Sequence, residues 1–291
     1  MEIFDQYRER VNSRLDSYLS SIPSSSIIDS ELKNIMKYSV LAGGKRFRPI
    51  LTYTVASLFD SDIQKADSSA CAIELIHIYS LIHDDLPSMD DDDIRHNQPA
   101  NHKVFGEAQA ILAGDGLQAL AFSLISSDPI IDIVTKIELL KLLSISSYEM
   151  AEGQSIDLSI VSKKVDLKIL DKMHQKKTGA LLNCCIKFGA ILNNASKDDL
   201  SILESFADHI GLAYQVQDDV LDVTTSDEVL GKRQNSDALK KKPSYPAIIG
   251  LSESIKTFEN LYQNALNELS HLSVDSEPLR LLTKRLMNRA F

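Results

Sequence analysis

Between His83 and His96 the chain reads HDDLPSMDDDDIRH, with Asp84, Asp85, Asp90, Asp91, Asp92 and Asp93 gathered into ten positions. Six carboxylates at that density repel one another strongly wherever the dielectric is low. The stretch must therefore stay in water or meet hard cations. Oxygen-rich sites suit Mg²⁺, which takes one or two carboxylates and completes its shell with water and substrate phosphate. A solvated acidic loop is the plain alternative for an isolated run, but the flanks favour the cation. A long apolar helical pattern, 66–84, leads in, Pro87 stops it, and Arg95 follows at once. A second acidic patch, Asp218, Asp219 and Asp222 in QVQDDVLD, closes another apolar helical stretch far downstream. Two such patches read as two walls of one metal site.

Everything around these patches reads as helix. Gly is 11 and Pro 8 of 291 residues, both low, which favours long uninterrupted helices. Periodicity of 3.6 residues marks helices over 2–20, 30–41, 49–59, 66–84, 107–125, 130–150, 167–192, 198–222, 245–268 and 276–289. No strand alternation, domain linker or repeat is visible, so one all-α domain over 1–291 is expected, with its site in the bundle core between facing helices. The two patches supply nine of the 41 acidic residues; without them 32 acids face 31 bases, so the net charge of −10 is local. This charge does not suggest a general polyanion-binding surface, and nucleic acid is not expected as a partner. Cys71, Cys184 and Cys185 fall in apolar helical patterns without a C-x-x-C pair, as expected for reduced core thiols in the cytoplasm. The N-terminus has no apolar signal region and no run approaches membrane-spanning length, so no membrane insertion is expected.

Asp218 and Asp222 lie at i,i+4 and share a helix face, whereas Asp219 points about 100° away. Asp84 and Asp90 are six apart, and the break at Pro87 releases Asp90 to turn back toward Asp84. GGKRFRP, Gly43 to Pro49, reads either as a helix C-cap or as a diphosphate clamp built on Gly44, Lys45 and Arg48. Further cations punctuate the chain: Arg95, Lys177 beside Thr178 in HQKKTGALL, Lys232 in LGKRQ, and Lys240 to Lys242 before PSYP. Each alone is a surface charge; together they suit a site holding metal-bound diphosphate from several sides. His77, seven residues before Asp84, shares nearly its face.

With these motifs in order, the chain resembles the trans-isoprenyl diphosphate synthases, most closely the bacterial farnesyl diphosphate synthases, from about residue 30 onward. The resemblance rests on GGKRFRP, HDDLPSMDDDDIR, KTG, QVQDDVLD, LGKR and KPSYP. It implies an isoprenoid-synthase-type helical bundle around a deep central cavity, usually homodimeric. The implied enzyme is an Mg²⁺-dependent prenyltransferase joining dimethylallyl or geranyl diphosphate to isopentenyl diphosphate. About three Mg²⁺ ions per site are implied, held by Asp84, Asp85, Asp90, Asp218, Asp219 and Asp222. Arg95, Lys177, Lys232 and Lys242 would take the allylic diphosphate, with Thr178 and Gln215 oxygens shielding the allylic cation. Isopentenyl diphosphate would sit on Gly44, Lys45, Arg48, His77 and His96.

The chain departs from this family at two places: His96 stands where a second arginine is usual, and the end, RLMNRAF, lacks the basic C-terminal end common in relatives, though Arg289 remains. The acidic cluster beside His96 is expected to raise its pKa and restore part of that charge. Product length points to fifteen carbons. The resemblance implies that an aromatic five positions before the first Asp, here Tyr79, blocks the pocket floor beside Ser80, with Ile76 and Ile73 continuing that row. Geranylgeranyl or geranyl diphosphate synthesis is the nearest alternative. A terpene cyclase would carry a different second motif, and a non-catalytic partner subunit would tend to lose one of the two.

Overall fold

The computed structural model describes residues 3–22, 27–60, 62–224 and 242–288. It is all-α, as the periodicity predicts, and it divides into two compact units. The first holds Met1–Tyr53 and Asp62–Lys141; the second holds Thr54–Ser61 and Leu142–Phe291.

In the first unit α1 (Ile3–Ser21), α2 (Ile27–Val40) and α6 (Glu107–Ser127) gather around α4 (Asp67–Asp84), which packs directly on α6. Nearly every residue of α4 from Asp67 to Ile82 is buried, so it is the unit's core and not an amphipathic surface helix. Its first residue, Asp67, is a buried carboxylate taken up by Arg10 (2.6 and 2.8 Å), Arg14 (2.9 Å) and the Tyr53 hydroxyl (2.8 Å). At its other end α4 presses against α6 at Gly114, where an added Cβ would lie 2.1 Å from His83 Nε2. α6 corrects one expectation: with 21 residues it is long and apolar enough to cross a membrane. Its buried face, Ala110, Ala113, Leu117, Ala121 and Leu124, is nonetheless a packing face.

The second unit is built on α10 (Lys197–Thr224), packed against α9 (Ala180–Leu192) and the helix Leu251–Glu268. Ile160, Leu170, Met173, Val216 and Tyr245 form one of its hydrophobic clusters. The C-terminal helix Glu277–Met287 is tied to α10 by Gln217, whose Nε2 donates to Met287 O (3.0 Å) while its Oε1 accepts from Tyr262 Oη (2.9 Å).

Several boundaries differ from those the periodicity gives. α3 (Phe47–Phe59) starts two residues early, with Pro49 inside its first turn. α7 (Ile133–Ile160) runs ten residues past 150. The stretch 167–192 is α8 (Leu167–His174), a π-turn at Gln175–Gly179, then α9. The stretch 245–268 breaks at Gly250, whose φ of 84° ends α11 (Tyr245–Ile249) and starts α12 (Leu251–Glu268). Gly106, also at φ 84°, separates α5 (Asn101–Phe105) from α6 in the same way. A two-residue antiparallel pair, β1 (Ile94–Arg95) and β2 (Gln98–Pro99), follows the acidic run. The three cysteines are free and buried.

Candidate active site

The first acidic motif sits where α4 ends. Past Pro87 the chain doubles back, and the Asp90 amide donates to the Asp84 carbonyl at 2.8 Å, so the six-residue spacing closes into one loop as expected. Asp84 and Asp90 are both half-buried on it. Their donors are all carboxylate oxygen, which fits Mg²⁺ and not a softer ion. Asp85 has another task. It is 2% exposed and accepts from Arg95 Nε at 3.0 Å and from Nη2. Burial pushes its carboxyl above the usual range, against the pull of Arg95. Asp92 also touches Arg95, at 3.4 Å.

Beside this loop the GGKRFRP turn adds Arg46 and Arg48 to a cluster of cations around His77. Gly43, Gly44 and Arg46 all take positive φ (95°, 110° and 51°), a turn that two glycines make possible. Arg46, which the motif reading passes over, is the turn's lock. It is 3% exposed and bonds Glu74 Oε1 (2.8 Å), Asn12 Oδ1 (2.9 Å) and the Val40 carbonyl. Lys45 stands exposed on the turn, and Gly44 leaves 3.6 Å between a would-be Cβ and the His96 ring. Arg48, in the first turn of α3, has a buried Nε–H with no hydrogen-bond partner among the described residues, as an anion-binding arginine would. Burial, followed by Arg48, His96, Arg95 and Arg46, holds His77 far below the ordinary histidine pKa. His96 overturns its expectation. Partial burial first, then Arg95 and Arg46, lowers its pKa, where the acidic run was expected to raise it.

Tyr79 is buried on α4, edge-on to His83 at 5.7 Å between ring centroids, and hydrogen-bonded to Gln118 of α6. Ser80 is half-buried, and its hydroxyl donates to the His77 carbonyl at 2.7 Å.

In the second unit the π-turn Gln175–Gly179 presents Lys177 and buries Thr178. Such turns recur at functional sites. Two glycines make room for it. A Cβ on Gly153 of α7 would fall 2.2 Å from the Lys177 backbone nitrogen, and one on Gly211 of α10 would fall 3.1 Å from Gly179 Cα. Gln215 and Asp218, both half-buried, lie one and two turns beyond Gly211 on the same face. Asp222 continues that face at 1% exposure.

Asp219 faces inward, as its 100° offset requires, and accepts from the Tyr245 amide (2.9 Å) with His174 Nε2 at 3.3 Å. Lys177 and Lys242 converge on one carboxylate, Asp157, at 2.7 and 2.8 Å. Burial would raise the Asp157 carboxyl, but the two lysines outweigh it and hold it below the usual range. Gln154, one turn earlier, is buried with neither amide atom hydrogen-bonded. The motif reading misses both; the signal was GQSID, a glycine and polar groups inside an apolar helix. Lys232 and Arg289 lie outside the described residues.

An all-α chain that ends two core helices in paired aspartates and gathers cations beside each is of the diphosphate-handling transferase class. A family profile described as polyprenyl synthetase matches residues 29–274, and the chain belongs to that family. It is 38% identical over 289 residues to the farnesyl diphosphate synthase of Escherichia coli, covering 97% of this chain and 96% of that one. It is 40% identical over 258 residues to the geranylgeranyl diphosphate synthase of Cyanophora paradoxa, covering 87% and 86%. Its fold is similar to that of the geranyltransferase of Helicobacter pylori solved with magnesium and isoprenyl diphosphate. That match has a TM-score of 0.83 at 29% identity and covers 99% and 97% of the two chains.

Proposed function

We propose that this chain condenses dimethylallyl or geranyl diphosphate with isopentenyl diphosphate, head to tail and trans, giving mainly farnesyl diphosphate and free diphosphate. One observation carries the reading: the loop that returns Asp90 to Asp84 is joined in its unit by a cluster of cations around His77, in which Arg48 Nε–H is buried without an acceptor among the described residues. Asp84 and Asp90 from one motif, with Asp218 and Asp222 from the other, would hold about three Mg²⁺ ions; Asp85 and Asp219 serve as their anchors. Bound Mg²⁺ would neutralise charge developing on the departing diphosphate. Arg95, steered by Asp85, would bind that diphosphate together with Lys177, Lys242 and Lys232. Thr178 and Gln215 turn oxygens toward the allylic cation, an electrostatic role. Lys45, Arg48, His77 and His96 hold isopentenyl diphosphate, whose double bond attacks the cation; the released diphosphate then removes the proton.

The chain works as one domain and as a homodimer, through exposed apolar residues such as Ile111, Leu112, Ile133, Val134 and Ile137. It resides in the cytoplasm without membrane insertion or nucleic acid. The test is incubation of pure protein with Mg²⁺, isopentenyl diphosphate and geranyl diphosphate, followed by product sizing. A dominant fifteen-carbon product is expected. A dominant twenty-carbon product moves the reading to geranylgeranyl diphosphate synthesis, and no condensation overturns both.

A further inference from the structure

Beyond the carboxylates assigned to Mg²⁺, the first unit holds a second ligand set. One atom each from Asp91, Asp93 and His102 lies within 4.8 Å of the other two. Acidic groups close together are common on surfaces, and Asp91 and Asp93 are exposed. What sets this group apart is His102. It is 6% exposed, and neither ring nitrogen has a hydrogen-bond partner among the described residues. A buried imidazole without a partner forfeits its bond to water, a cost that native proteins almost always offset. Here the ring reaches toward two carboxylates.

The frame beneath the group is already ordered. Asn101 pins the start of α5 to α2 through Ile35 O (3.1 Å) and Ser39 Oγ (2.9 Å). The Ala100 amide donates to the Asp93 carbonyl at 2.8 Å, fixing the acidic run against α5. Lys103 Nζ lies 2.7 Å from Asp93 Oδ1 and is the cation now balancing these charges. Glu107 adds to the negative field around Lys103.

We propose that Asp91, Asp93 and His102 form a binding site for one borderline divalent metal ion of the Zn²⁺ or Co²⁺ type, separate from the catalytic Mg²⁺ positions. Ligand type decides the class. Imidazole favours Zn²⁺, Co²⁺ and their neighbours, whereas Mg²⁺ prefers oxygen alone. Ligand atoms about 2.0–2.2 Å from such an ion sit roughly 3–4 Å apart, so the three side chains need only close by about an ångström, displacing Lys103 from Asp93. Because Asp91 follows Asp90 directly, occupancy would tie the loop carrying Asp90 to α5.

The test uses full-length, metal-free protein carrying Asp84→Ala and Asp218→Ala, which removes one ligand from each catalytic carboxylate pair. Co²⁺ is titrated without diphosphate while its visible absorption is followed. One equivalent should bind saturably, be displaced by Zn²⁺ mole for mole, and resist excess Mg²⁺. Adding Asp91→Asn or Asp93→Asn, both exposed and harmless to packing, should weaken Co²⁺ binding at least tenfold, and ¹⁵N imidazole spectra should show the His102 ring shifting with Zn²⁺. Absence of saturable binding overturns the proposal. So does affinity unchanged in both asparagine variants, or a His102 ring that ignores Zn²⁺.

Discussion

Asp84–Asp85 and Asp218–Asp219 look interchangeable as letters, yet the fold splits each pair the same way and uses the halves differently. In both, the first aspartate is half-buried and the second is buried against protein. Neighbours on a helix point about 100° apart, so a doubled aspartate gives one outward ligand and one inward anchor. The anchors then diverge. Asp85 grips Arg95, itself a candidate ligand for substrate, whereas Asp219 takes the Tyr245 amide and His174, stacked on the Tyr245 ring at 6.0 Å, and so fastens α11 to α10. One anchor aims a charge; the other holds two helices together.

The largest effect should come from the outward members. Asp84→Ala or Asp218→Ala should cut turnover by about a hundredfold to a thousandfold or more while the melting temperature holds; near-normal turnover in Mg²⁺ would erase the distinction between ligand and anchor. Tyr79 tests a second asymmetry. Five residues before Asp84 the chain has Tyr79, but five before Asp218 it has Ala213. Only α4 therefore carries a bulky floor, and Tyr79→Ala should shift the main product from fifteen to twenty carbons, read by chromatography under excess isopentenyl diphosphate. A product still stopped at fifteen would assign the floor elsewhere.

The anchors come next. Asp219→Ala strands a buried amide at a cost of about 1–3 kcal/mol, which should lower the melting temperature by roughly 2–10 °C in a chain of this size. Asp85→Asn should instead raise the KM for the allylic diphosphate about tenfold with little change in melting. Matching behaviour of the two variants would show that the anchors share one role.

The smallest effects concern the histidines. His77 is ringed by Arg48, Arg95, Arg46 and His96, whereas His174 faces a carboxylate. Because the folded pKa of His77 lies well below its unfolded value of about 6.5, the unfolded chain takes up the proton first as pH falls. Stability is therefore full above about pH 6.5 and declines below it, and His77→Asn should flatten that decline in melts across pH. His96 loses its proton below the ordinary histidine range, so the KM for isopentenyl diphosphate should climb severalfold as pH rises through that lower range, and stay level in His96→Arg.

Much of this was legible from the letters. Pro87 announces the turn that returns Asp90 to Asp84, and the i,i+4 pair Asp218 and Asp222 announces a shared face. What the letters hide is what a residue meets across space. Nothing in KRFR tells the buried lock Arg46 from Arg48, whose Nε–H is buried without a partner among the described residues. The sign of the His96 shift depends first on its partial burial and then on two guanidiniums, Arg95 next to it and Arg46 fifty residues away. The π-turn escaped because one extra residue in a helix barely disturbs a hydrophobic period.

Gly153 touches no substrate in any of these roles, yet it sets a limit on inheritance. Every missense change in a glycine codon adds at least a β-carbon, and any β-carbon at this position collides with the Lys177 backbone. Most positions offer a lineage some tolerated neighbour to drift through; this one offers none without reshaping the turn that presents Lys177. In a library of random alleles selected for growth on its product, Gly153 should be as empty of survivors as the aspartates themselves.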